Sequence, residues 1–166
     1  MANKKKGEIV PSNSLVQDEV TGFEGIVIFR IEYMNECIRY AVQPKINSEG
    51  KLPEYKVIDG PNLKIIAPPP AGLSAIPETP DAFDFGVKLK DRLSGVEGVA
   101  VIRFKNRHAG DRYGIQPKIN EKGDIPDVVF LDEEDLEQID PLPKPKKEKK
   151  EKRPNGPHGY TALFIR

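Results

Sequence analysis

Two nine-residue stretches, RYAVQPKIN from Arg39 to Asn47 and RYGIQPKIN from Arg112 to Asn120, place an Arg, a Gln, a Lys and an Asn at matching positions. Alternate side chains of an extended strand share a face, so Arg39, Ala41 and Gln43 fall on one side and Tyr40 and Val42 on the other. Arg112, Gly114 and Gln116 repeat that pattern against Tyr113 and Ile115. A five-donor guanidinium and a donor/acceptor amide then flank a small residue and form a shallow notch. Lys45 and Asn47, with Lys118 and Asn120, continue the same parity beyond the proline. Such a face suits a planar or anionic group, whether a nucleotide, a carboxylate or a peptide backbone. Arg39, Gln43, Lys45, Asn47, Arg112, Gln116, Lys118 and Asn120 are therefore the candidate binding residues. A folding role explains the same residues: Arg39 would pair with Glu24 and Arg112 with Glu97 across strands, and Gln43 and Gln116 would cap turn backbone.

Catalytic chemistry has less to work with. His108 matches Asn35 of the first half, so an acid/base role would be confined to one half of the chain. Asp59 and Asp132 recur, but each is well placed to cap a short helical turn. Cys37 adjoins Glu36, an acidic neighbour that disfavours a thiolate. No glycine loop that cradles phosphate leads into a helix, and no nucleophile elbow occurs. Cys37, His108 and His158 cannot assemble a four-ligand zinc site. The chain reads as non-enzymatic, with no catalytic residue, metal ligand or cofactor expected.

The elements that must position these residues come in duplicate. From Asp18 and Asp91 onward, some fifty residues superimpose without a gap, and about a third of the pairs are identical, which marks an internal duplication. Each copy opens on a turn, Thr21-Gly22 or Ser94-Gly95. A run of β-branched and aromatic residues follows, IVIFRIEY or VAVIRF, with apolar side chains on both faces. Val27, Phe29 and Ile31 fall on one face of it, and Ile26, Ile28 and Arg30 on the other. Arg30 and its match Arg103 are expected to snorkel from a packed strand. A second strand covers Ile38 to Gln43 and a third Tyr55 to Ile58, with a glycine turn between them. A short helical turn starts at Asp59 or Asp132, and Leu63 to Ile66 closes a small barrel.

The expected organisation is a flexible N-terminus over 1–13, a first repeat over 14–66, a Pro-rich linker over 67–84 and a second repeat over 85–140. A Lys/Glu-rich tail over 141–166 ends in the apolar YTALFIR and is expected to be disordered where it is charged. With 16 Pro, 14 Gly, no Trp and 37% hydrophobic residues, the chain suits small β modules better than one large core. Its single Cys excludes an intrachain disulfide. Lys+Arg and Asp+Glu balance at 26 each, so no global field draws in nucleic acid. The N-terminal MANKKKGEIVPSNS lacks an apolar run after its lysines, and no window approaches membrane-spanning length. No membrane partner is expected, and the location expected is the cytoplasm.

The order of long curled strand, second strand, third strand, one-turn helix and closing strand resembles SH3-like small barrels, including KOW-type modules. That resemblance implies a mainly β protein of two tandem SH3-like barrels joined by the Pro-rich linker. The TGFEG, RYAVQP and GKLP elements resemble short bacteriophage and prophage proteins, most with one copy of the pattern. This second resemblance implies a phage origin and hence the host cytoplasm. Together they point to a phage-type binding or adaptor protein in host takeover or anti-defence. A protein partner is expected first and a sequestered nucleotide signal second. KOW-like nucleic-acid binding through Arg39, Lys45, Arg112 and Lys118 is an alternative, as is a virion or scaffold component. The oligomeric state is not set by the sequence.

Overall fold

A computed structural model describes residues 9–73, 79–106 and 109–140. His108 and the YTALFIR segment lie outside the described residues. The described chain is mainly β, and its two helical elements are three-residue 3-10 turns. The first repeat supplies β1 (Leu15–Asp18), β2 (Glu24–Tyr33), β3 (Ile38–Gln43), β4 (Lys56–Asp59) and β5 (Leu63–Ala67). The second supplies β6 (Lys88–Asp91), β7 (Glu97–Lys105), β8 (Arg112–Gln116), β9 (Val129–Asp132) and β10 (Leu136–Gln138). All ten belong to one antiparallel sheet.

Within the first repeat the neighbours run β5-β1-β2-β3-β4, and within the second β10-β6-β7-β8-β9. The last strand of each repeat pairs with the first, and no ladder joins β4 to β5 or β9 to β10 among the described residues. The sheet is open, and the expected closing strand folds back onto β1 instead.

β2 and β7 are long because each serves two partners along one edge. The start of β2 pairs with β1, and its end, Arg30 to Tyr33, pairs with β7, while β3 runs along the other edge. A bulge between Val27 and Phe29, matched between Ala100 and Ile102, bends each strand where it changes partner. The bulge also shifts parity. Val27 and Arg30 therefore share a face, and Phe29 and Ile31 take the opposite one, which splits the apolar set that simple alternation groups together. Gly25 and Gly98 permit close crossing here, since a Cβ on either would collide with the carbonyl of Gln43 or Gln116.

Each repeat keeps its own core. Val10, Val16, Val27, Tyr40, Val42 and Leu63 form the first, and Val87, Leu89, Ala100, Tyr113, Ile115 and Leu136 the second. Burying each larger aliphatic side chain contributes about 1.5–3 kcal/mol. The tyrosine hydroxyls tie flanking chain to these cores. Tyr40 Oη accepts from Val10 N at 3.0 Å, and Tyr113 Oη accepts from Phe83 N at 3.1 Å. Residues 9–13 and 79–84, flanking segments by sequence, thus join the packed structure. Ser12 is buried beside Val10, and Asp81 forms ion pairs with Arg103 and Lys105.

Candidate binding surface

The eight sequence-predicted residues occupy matching places in the two repeats, and most of them are held by backbone or by a neighbouring strand. Antiparallel register sets Arg39 opposite Asp59 and Arg112 opposite Asp132. Their Nε atoms lie 2.7 and 2.8 Å from the carboxylates, on side chains about half exposed. The hydrogen bond from Arg39 to Asp59 pushes the guanidinium pKa up. Neither Arg uses the glutamate that local spacing suggests, and Glu97 sits beside Lys88 and Lys90 instead. Asp59 and Asp132 do precede 3-10 turns, but their side chains make no capping bond, because the arginines take them.

Gln43 Nε2 donates to Pro53 O at 2.6 Å and Gln116 Nε2 to Pro126 O at 2.7 Å, fastening both ends of each hairpin loop together. Asn47 Oδ1 accepts from the backbone N–H of Glu49 and Lys51, and Asn120 Oδ1 from those of Lys122 and Asp124. These bonds shape the loops. Lys45 and Lys118 are exposed and form no ion pair among the described residues. The notch between Arg and Gln is filled. Ala41 is buried, and a Cβ on Gly114 would come within 2.9 Å of Ile102, Val128 and Phe130 side-chain atoms.

What fills that notch is a second apolar layer on the face opposite the cores. Strands β4-β3-β2-β7-β8-β9 run as neighbours across both repeats, and a row of rings crosses them. Tyr55 meets Phe29 edge-on at 5.4 Å, Phe29 meets Phe104 at 6.0 Å, and Phe104 meets Phe130 edge-on at 5.1 Å. Such contacts add to plain area burial. The row is covered at its centre and open at its ends, where Tyr55, Val57 and Phe130 are 46%, 46% and 40% exposed. Arg39–Asp59 and Arg112–Asp132 bound it on either side. Further exposed apolar residues recur at matched positions: Val20 with Leu93, Ile46 with Ile119, and Leu52 with Ile125.

An open groove of ≈ 460 Å³ adjoins this face in the first repeat, lined by Thr21, Phe23, Lys56, Val57, Ile58 and Asn62. The second repeat has Val129 in place of Lys56 and Asp135 in place of Asn62, so the matching position loses an ammonium and gains a carboxylate. No group of three or more His, Cys, Asp or Glu among the described residues could hold a metal. Cys37 is a half-buried free thiol at a turn where Asn35 accepts its N–H. Comparison with family models, with curated proteins and with solved structures finds no match to the chain.

A charged cluster between the repeats escaped the strand-by-strand reading. Arg30 and Arg103 do not snorkel: the bulge turns both inward, to 5% and 7% exposure. Glu32 joins them, accepting Arg30 Nε at 2.6 Å on one oxygen and Arg103 Nε and Nη2 at 2.9 and 2.7 Å on the other. Arg103 also bonds Asp81 and the Phe83 carbonyl and lies over the Phe85 ring. Lys105, 5% exposed, pairs with Asp111 and Asp81. Burial works against both cations, but their carboxylate partners outweigh it and their pKa values are raised. A sequence signal existed: Glu32 and Lys105 are opposite charges at matched positions, each two residues after a repeated Arg in a largely apolar strand.

Proposed function

We propose that this is a non-catalytic binding protein whose two repeats, each an SH3-like small barrel, present one joined surface to a protein partner. The recurring exposed apolar residues carry the reading. Val20/Leu93, Ile46/Ile119, Leu52/Ile125 and Val57/Phe130 remain apolar in both copies at places where neither core needs them. Single exposed apolar side chains are ordinary, but a set matched between the repeats, with Val57 and Phe130 at the open ends of the aromatic row, is what a docking surface requires. The strand order and the 3-10 turn before the last strand of each repeat support the small-barrel reading. The likeness of TGFEG and RYAVQP to short phage proteins adds host takeover or anti-defence as the setting. Nucleic acid fits this surface less well. Tyr40 and Tyr113 are buried and offer no stacking platform, and Arg39 and Arg112 are already paired.

The test is affinity purification of the full chain from lysate beside a variant carrying Val57→Lys and Phe130→Lys, both checked for a native melt. A stoichiometric protein that binds the parent and is lost from the variant supports the proposal. A partner retained by the variant, or nucleic acid or nucleotide in its place, overturns it.

A further inference from the structure

The seam between the repeats has the geometry of a dimer interface. Arg30 faces Lys105, Ile31 faces Phe104, Glu32 faces Arg103 and Tyr33 faces Ile102. In the duplication Lys105 matches Glu32, Phe104 matches Ile31, Arg103 matches Arg30 and Ile102 matches Phe29. Arg30–Lys105 and Glu32–Arg103 are therefore mirror images of each other, and Ile31 and Phe104, matched residues, meet on a local two-fold axis. That is the pattern of an isologous contact, in which one patch meets a copy of itself.

We infer that β2 is a self-complementary pairing edge, and that a second copy of this chain is the partner it fits. Replacing β7 by the β2 of another chain in the same register sets Arg30 opposite Glu32 and Glu32 opposite Arg30. Both guanidiniums then meet a carboxylate, and the present opposition of Arg30 to Lys105, two buried cations, disappears. Ile31 meets Ile31 on the axis. The β7 edge lacks this property. Pairing β7 with β7 sets Arg103 opposite Lys105 twice and removes Glu32, which supplies Arg103 with two hydrogen bonds. Like charges placed directly across strands are destabilising. The substitution that distinguishes the repeats at this position makes one edge self-pairing and the other dependent on it. The tether between repeats holds the seam closed within one chain at an effective concentration on the order of millimolar. Exchange between chains is therefore concentration-dependent and follows opening of the seam.

The test uses the full chain with Cys37→Ser and a single reporter thiol. Opposed residues of an antiparallel pair lie within disulfide reach. Ile31→Cys places a thiol on the axis of a β2–β2 seam, and Phe104→Cys places one on the axis of a β7–β7 seam. Ile31→Cys with Phe104→Cys reports the closed chain by an intrachain bond, and its formation verifies the register. After refolding over a range of concentrations under mild oxidation, non-reducing gels should show covalent dimer for Ile31→Cys, rising with concentration. Phe104→Cys should give at least tenfold less. Monomer at every concentration for Ile31→Cys, or equal dimer from the two, overturns the inference.

Discussion

The two repeats share strand order, cores and loop braces, yet they meet the seam with opposite charges. At one position in ten-stranded continuity, Glu32 of the first repeat holds both an arginine of its own strand and one of the neighbouring repeat. The matched Lys105 turns back to Asp111 of its own repeat and to Asp81 in the segment just before it. Duplication supplied a symmetric edge, and one charge reversal made the halves unequal. The first repeat provides the cross-repeat ion pair and the second provides its own neutralisation.

That comparison breaks most sharply at Glu32. Glu32→Ala leaves two buried guanidiniums short of a carboxylate and should lower stability by about 3–5 kcal/mol in urea unfolding. Lys105→Met leaves the buried Asp111 carboxylate without its cation and should cost about as much, but it removes no ion pair across the repeats, so amide protection at Arg30–Tyr33 should persist where Glu32→Ala loses it. Loss of that protection in both variants would mean that the seam does not depend on the carboxylate of the first repeat. The next effect concerns the small residue beneath the aromatic row. Gly114→Ala pushes a methyl against Ile102, Val128 and Phe130 and should cost about 1–3 kcal/mol, although the first repeat already has Ala41 at that place.

Two smaller effects should be alike in both repeats. Asp18 is held below the usual carboxylate range by the Thr21 hydroxyl and by backbone N–H groups, and Asp91 likewise by Ser94. Because the folded values are depressed, their contribution is full above about pH 4 and is lost as pH falls through the lowered values. Melting followed from pH 7 to pH 2 should show a flatter acid limb for Asp18→Asn and for Asp91→Asn. Smallest of all, Arg39→Ala and Arg112→Ala break exposed pairs and should each change stability by about 1 kcal/mol or less.

Much of one repeat was legible in the sequence, and little of what joins the two. The placement of Tyr40 and Val42 on one face, which is the buried one, with Arg39 and Gln43 opposite, follows from alternation because β3 contains no bulge. In β2 the same rule fails after Ile28, where one extra residue exchanges the faces and buries Arg30. β1 and β6 lie before the turns on which each copy is expected to open and add strands that this expectation lacks. Asp59 as partner of Arg39 depends on register between strands twenty residues apart, which no local pattern encodes. The seam depends on which edges of β2 and β7 remain free, a property of the assembled sheet. Of the candidate binding residues, Arg39, Gln43, Asn47 and their matches also brace strands and loops, which depends on register and loop closure that the sequence pattern does not encode, while Lys45 and Lys118 stay exposed.

Amide hydrogen exchange at Arg30–Tyr33 and Ile102–Lys105 tests the central claim, one sheet continuous across both repeats and closed by Glu32. The account predicts protection in the parent close to that of the core strands β3 and β8, and loss of it in both segments together in Glu32→Ala. Rapid exchange in the parent, at the rate of free strand edges, would contradict it and leave two independent repeats on a tether.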